Sequence, residues 1–183
     1  HPAIDIVMVG ARGVAEWRDA VAMMGIGIPP AFWTALRDAG LLPELAPRHA
    51  ALFVKTARAG AYDGTTFHRI IQGGIIQGGD PLTKDPAKMS LFGTGGLGLL
   101  AAEFSDRPFV RGTVAAVRKP SSPDSGGRQF FVVMQDQPSM KGQYTVFGEV
   151  VSGMEVVDQI STTPVDGDKA KERVEMKVTV QEP

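Results

Sequence analysis

Acid–base, nucleophilic and metal chemistry each need particular residue types at particular spacings, and this 183-residue chain shows few such arrangements. Cysteine is absent, which removes thiolate catalysis, disulfides and thiolate-ligated metals together. The three histidines, His1, His49 and His68, show no metal-ligand spacing. Ser125 beside Asp124 invites a hydrolase reading, but no GxSxG elbow surrounds it and the loop Lys119–Gly127 is a poor frame for a nucleophile. His49 reads as a solvated helix residue, and His68, between Phe67 and Arg69, as a packed strand residue rather than a base. Arginine offers a different chemistry, of fixed charge and hydrogen bonds. Arg69 brings five donors in a rigid fork and a permanent charge, so it can stabilise a developing charge or lone pair but cannot relay protons. Taken alone, Arg69 reads as half of a surface salt bridge, and Gln77 and Gln129 as ordinary strand polar residues. Phe130 and Phe131 are neighbours in a β-prone run, so one must face a core and the other the opposite surface. Periodicity does not say which.

The elements that would position these residues fall into two textures. Ile4–Val9 (IDIVMV) reads as a strand closed by Gly10. Helical patterns follow at Ala15–Met24 and Ala31–Ala39, separated by Ile28-Pro29-Pro30, where proline forbids continuation. A third helix spans Pro47–Ala59, with Ala51, Phe53, Val54 and Ala57 at helical spacing and Gly60 as its stop. After Gly60 the runs FHRIIQ, RGTVAAV, RQFFVVM, YTVFGEVV and VEMKVTVQ read as short strands separated by Gly, Pro, Asp and Ser clusters. Thr83–Gly98 and Lys119–Gly127 read as long loops, and no internal repeat appears.

Composition narrows the class further. With 43% apolar and 21% charged residues, the chain suits a single domain over 1–183 with a real core. A formal charge of −1, with basic residues scattered, predicts no nucleic-acid partner. No apolar run reaches the ~20 residues needed to cross a bilayer, and no charged-then-apolar leader opens the sequence. The expectation is a soluble monomer, cytoplasmic or exported to the periplasm.

The run Tyr62–Pro81, YDGTTFHRIIQGGIIQGGDP, resembles the signature of the cyclophilin-type peptidyl-prolyl cis-trans isomerases. Gly93-Thr94-Gly95-Gly96, Ala102-Glu103-Phe104-Ser105, Arg111-Gly112-Thr113-Val114, Gln129-Phe130-Phe131 and Tyr144-Thr145-Val146-Phe147-Gly148 reinforce it in the same order. The similarity covers about Leu45 to Val180. It implies a mainly β fold: a closed eight-stranded antiparallel barrel, its lumen filled by side chains, capped by two helices, with a substrate groove on the outer wall. It also implies isomerisation of X-Pro bonds in proline-containing peptides and unfolded chains, without metal or organic cofactor.

Under that resemblance Arg69 corresponds to the catalytic arginine, and Gln77 and Gln129 to residues that contact the substrate backbone and hold the guanidinium. Phe131 corresponds to the aromatic floor of the proline pocket, with Ile75 and Met140 in its wall and Val117, Arg118 and Tyr144 along the groove. Arg118 resembles bacterial members. Gly74 stands where the family usually has a phenylalanine, a loss of contact worth about 2–3 kcal/mol. With Gln72 in place of a common proline, this motivates an alternative: a proline-peptide binding module or chaperone with reduced isomerase activity. Ser139 replaces the tryptophan of cyclosporin-sensitive members and Tyr144 a histidine, so weak cyclosporin binding is expected. The segment 10–44 replaces a short hairpin and reads as a helical insertion packed on the barrel. The sharper reading sends Trp17, Met23, Met24, Phe32 or Trp33 to the groove, and a third makes the insertion a docking element for another protein.

Overall fold

The computed structural model describes residues 46–181. The strand at 4–9, the helices at 15–24 and 31–39, and the insertion at 10–44 lie outside the described residues, as does part of the single domain expected over 1–183.

Helix α1, Pro47–Arg58, starts with proline at its first turn, where a missing amide hydrogen costs nothing. Its N-terminal residue Ala46 offers no side-chain cap. The cap comes from far along the chain: Glu103 accepts from the backbone amides of Arg48 at 3.2 Å and His49 at 3.0 Å. Glu103 also takes a 2.6 Å hydrogen bond at His49 Nδ1. Burial alone would push the Glu103 carboxyl up, but the bonds from His49 and Arg48 bring it below its ordinary value. His49, expected to be solvated, is instead 3% exposed. The inward stripe of α1 is accordingly His49, Phe53, Thr56 and Ala57, while Ala51 faces solvent.

The strands form one antiparallel sheet. They are β1 (Phe67–Ile71), β2 (Ile75–Gly78), β3 (Thr113–Ala116), β4 (Phe130–Val133), β5 (Val146–Glu149), β6 (Val165–Asp166) and β7 (Lys169–Ala170), with helix α2 at Met154–Ser161 between β5 and β6. Their order is β5-β3-β4-β2-β1-β7-β6. The expected closed eight-stranded barrel is therefore corrected to an open seven-stranded sheet among the described residues. Closure needs a ladder between the two edges, and β5 pairs only with β3 while β6 pairs only with β7. Among the described residues the run VEMKVTVQ, expected as a strand, makes the Thr66↔Glu175 bridge and a few backbone bonds beside the start of β1, among them Met176 N to the Thr65 carbonyl.

Strand β4 is buried along its whole length, so it reads as an unbroken apolar run instead of alternating. Its two faces serve different cores. Phe130 and Val132 join Ile70, Ile76 and Tyr62 in an inner cluster that α1 and α2 cover through Phe53, Ala57, Met154 and Val157. Tyr62 is 1% exposed, its hydroxyl donates to the Arg128 carbonyl, and burial pushes its pKa up. Phe131 and Val133 join Ile75, Phe109, Ala115 and Val146 on the outer face, where Val117, Met140 and Tyr144 pack at the margin.

Candidate active site

Strand β1 carries Arg69 in regular register from the hairpin turn, and a bulge follows on its N-terminal side. Phe67 pairs with Gly78 and Arg69 with Gln77, which leaves His68 as the extra residue in the ladder. The break in alternation lets Phe67 and Ile70 both pack against the inner cluster. Arg69 is then set across the ladder from Gln77, and its Nη1 donates to Gln77 Oε1 at 3.3 Å. Gln77 Nε2 donates to Gln129 Oε1 at 2.9 Å, and Gln129 Nε2 to the Gly95 carbonyl at 2.7 Å. This relay fixes one edge of the guanidinium to the loop after β2.

The other edge is held by Asp168, whose Oδ2 accepts from Arg69 Nε at 2.5 Å. Asp168 sits beside Gly167 in the turn joining β6 to β7, and Gly167 takes φ +63°, a left-handed value suited to glycine. The hydrogen bond from Arg69 holds the Asp168 carboxyl below its usual range. With five donors on a guanidinium and two spent on Asp168 and Gln77, three remain to meet a ligand among the described residues.

Arg69 and Gln77 border a cleft of about 780 Å³, within the ~300–1,000 Å³ of ordinary ligand sites. Phe131, Ile75, Met140 and Val117 supply its apolar lining. The Phe131 ring meets Tyr144 edge-on at 5.3 Å and stacks near Phe109 at 6.4 Å. Arg118 lies over Tyr144, 4.9 Å from the ring centroid, and its Nε donates to the Gln143 carbonyl. Met140 ends a short 3-10 turn, Pro138–Met140.

The far wall comes from the loop after β2, which folds into 3-10 turns at Pro81–Lys84 and Pro86–Leu91. Its organiser is Asp80, fully buried: Oδ1 accepts from Leu82 N, and Oδ2 from Gly93 N at 2.6 Å and Gly95 N at 3.2 Å. Residue 95 must be glycine, because a Cβ there would fall 2.3 Å from Asp80 Oδ1. The anchored loop delivers Phe92, Gly93, Thr94 and Leu97 to the cleft.

Of the ten candidate residues, Arg69, Gln77, Phe131, Ile75, Val117, Arg118, Met140 and Tyr144 meet around this one cleft. Gln129 and Gly74 do not line it. Gln129 is fully buried and spends both ends of its amide internally, so it braces Gln77 without reaching the surface. Gly74 lies behind Ile71: a Cβ at 74 would stand 3.0 Å from Ile71 Cγ2, and Ile71 itself lines the cleft. Ile71, Phe92, Phe109 and Asp168 went unnoticed in the sequence. Asp168 follows a turn signal, Asp166-Gly167, but nothing in the sequence joins it to an arginine 99 positions earlier. Ser125 is excluded as a nucleophile, since its Oγ donates to the Ser122 carbonyl and accepts from Lys119 N inside the loop. Among the described residues no group of His, Asp and Glu could hold a metal ion, and no helix is long and apolar enough to cross a membrane.

The fold and this cleft define a β-sheet protein with a peptide-sized groove on its outer face, and comparisons with known proteins place it. The family model described as cyclophilin type peptidyl-prolyl cis-trans isomerase/CLD matches residues 38–181, so the chain belongs to that family. A probable peptidyl-prolyl cis-trans isomerase of Brucella suis is 48% identical over 125 residues, covering 66% of this chain and 63% of the relative. The match thus spans a little under two thirds of that relative's length. Peptidyl-prolyl cis-trans isomerase B of Bacillus subtilis is 42% identical over 137 residues, covering 74% of this chain and 87% of the relative. The crystal structure of a Cryptosporidium parvum cyclophilin type peptidyl-prolyl cis-trans isomerase, determined in the presence of the dipeptide Ala-Pro, superposes with a TM-score of 0.65. It is 26% identical, covering 75% of this chain and 88% of that one.

Proposed function

We propose that the chain accelerates cis–trans rotation about X-Pro bonds of peptides and folding proteins, with Arg69 stabilising the twisted state and proline seated against Phe131. The observation that carries this reading is a guanidinium braced on two sides at the rim of an apolar cleft. Rotation about the imide must overcome a resonance barrier of ~18–20 kcal/mol and takes tens to hundreds of seconds unaided. No bond is broken. In the twisted state the prolyl nitrogen regains its lone pair, and only an interaction stronger there than with either planar isomer raises the rate.

A guanidinium suits that task because it donates hydrogen bonds at every working pH. Bracing by Asp168 and Gln77 removes the reorganisation a free arginine would need at the moment of reaction. Asp168 and Gln129 are positioning residues in this scheme, and Phe131, Ile75, Met140 and Val117 hold the pyrrolidine ring. The neighbour determined with Ala-Pro and the relatives' names support the substrate class. Soluble proline-containing chains are the expected partners.

The test is the isomerisation rate of short X-Pro peptides with the native chain and with Arg69→Ala. Losing one fixed electrostatic donor should cost on the order of 10²-fold in kcat/KM with peptide binding largely retained. Peptide binding without any Arg69-dependent acceleration would instead favour a proline-peptide binding module or chaperone.

A further inference from the structure

Beyond Arg69 the proline cleft adjoins a second cavity of about 310 Å³, which shares Arg69, Gln77, Phe92 and Gly93 with it. Phe67, Phe92, Met89 and Pro86 make its walls apolar. Its lining also holds His68, the residue that the β1 bulge leaves without a ladder partner. His68 is 7% exposed and stands edge-on to Phe92 at 6.2 Å. Neither of its ring nitrogens finds a hydrogen-bond partner of good geometry among the described residues. Native proteins seldom bury a polar group in that condition, and an unpaired imidazole in the wall of a cavity holds hydrogen-bonding capacity in reserve beneath it. Burial lowers its pKa, against the opposing pull of Asp80 and the Thr66 backbone, so at neutral pH it offers one donor and one acceptor.

We propose that this cavity is a second subsite, which takes the side chain of a tyrosine in the same client chain that places its proline against Phe131. The proposal rests on the reading of the main cleft given above and adds to it a sequence preference away from the isomerised bond. Continuity of the two cavities through Arg69 makes one extended peptide the occupant of both. The chemistry of the walls selects the side chain. A lysine or arginine would meet Arg69, Lys169, Lys171 and Arg173, while a carboxylate, though drawn to those cations at the rim, would have to bury its charge among Phe67, Phe92, Met89 and Pro86 to fill the cavity. A phenyl ring fills the apolar space but leaves His68 unpaired. Tyrosine does both, because its ring packs on Phe92 and Met89 while its hydroxyl can donate to or accept from the imidazole.

The experiment uses the 183-residue chain and peptides with one X-Pro bond, in which a single Tyr, Phe or Ala is moved through four positions on either side of proline. Kd is measured by calorimetry and exchange rates by NMR. One position should favour Tyr over Ala by roughly 30-fold in Kd, from buried ring area. Tyr should exceed Phe there by about 3- to 10-fold, from the hydroxyl. His68→Leu should bring the Tyr-to-Phe ratio to about one while the preference for either over Ala persists. Met89→Asp, at a side chain 53% exposed and so tolerant of change, should reduce the aromatic-to-Ala ratio several-fold even if His68→Leu fails to fold. Absence of any position that separates Tyr from Ala overturns the subsite, as does a Met89→Asp chain with undiminished preference. Normal turnover with no positional preference condemns the subsite alone. Absence of turnover on every peptide condemns the isomerase reading, and the Kd series still decides the subsite.

Discussion

The two faces of β4 carry the same residue types to different ends. Phe130 on the inner face and Phe131 on the outer are 7% and 2% exposed, so burial alone would rank the groove residue as the deeper core. Their covers differ. Phe130 is ringed by Phe53, Tyr62 and Phe67 at centroid distances of 5.5, 5.8 and 6.2 Å, all edge-on, with two helices sealing the cluster. Phe131 meets Phe109 and Tyr144, and next to it the cover is incomplete and the cleft begins. A binding floor is thus a core face whose lid has been left out, with a braced cation at its edge.

The comparison breaks most readily at the phenylalanines. Phe130→Ala should cost about 3–5 kcal/mol in urea unfolding, with catalysis per folded molecule unchanged. Phe131→Ala should cost less stability but raise KM for X-Pro peptides by tenfold or more, because it removes the proposed proline floor. Equal stability losses with unaltered KM would reduce the outer face to ordinary core.

A smaller effect is expected at the brace. Asp168→Asn leaves Arg69 charged but loosens its orientation, so kcat should fall several-fold with KM little changed. The depressed carboxyl of Asp168 sets the sign of the pH dependence. Its contribution is present above the unfolded-state pKa of ~3.9 and is lost as pH falls through the lower folded value. Native chain and Asp168→Asn should therefore differ at pH 7 and converge only once the pH has fallen below the depressed folded value, read as turnover or unfolding midpoint. Both side chains of the pair are more than 40% exposed, so added salt should shrink the difference.

Smaller again is the effect of Gly74→Ala. Its new Cβ would press Ile71 Cγ2 at 3.0 Å and lean that side chain into the cleft, raising KM by two- to threefold. An unchanged KM would show that Ile71 gives way elsewhere. The smallest effect expected is that of cyclosporin: Ser139 is exposed and absent from the cleft lining, so nanomolar concentrations should leave turnover intact. Inhibition at such concentrations in a protease-coupled assay would refute this.

Much of the site was legible because its residues sit in short contiguous runs. FHR with QGGD places Arg69 and Gln77 on adjacent strands, and their cross-strand pairing follows from the two-residue alternation. The inner and outer assignment of Phe130 and Phe131 came from resemblance, since alternation alone leaves it open. His49 was misread because a polar residue on a helix is usually solvated, and its burial depends on a glutamate 54 positions away. Gln129 stood as a contact residue through the resemblance alone, and its burial, with one hydrogen bond at each end of the amide, depends on segments far from it in sequence.

The sequence by itself determined the β texture after Gly60, the helix from Pro47, and the fixed cation on β1. These depend on local backbone preferences and short-range spacing. Only the tertiary structure decided that the described sheet stays open, that Ile71 stands in front of Gly74, that Asp168 holds the guanidinium, and that a second cavity opens beside His68. Apart from the Ile71–Gly74 contact, which belongs to the hairpin between β1 and β2, each of these is a meeting of segments distant along the chain, and the free energy of such a meeting depends on what else is packed there, which no local pattern encodes.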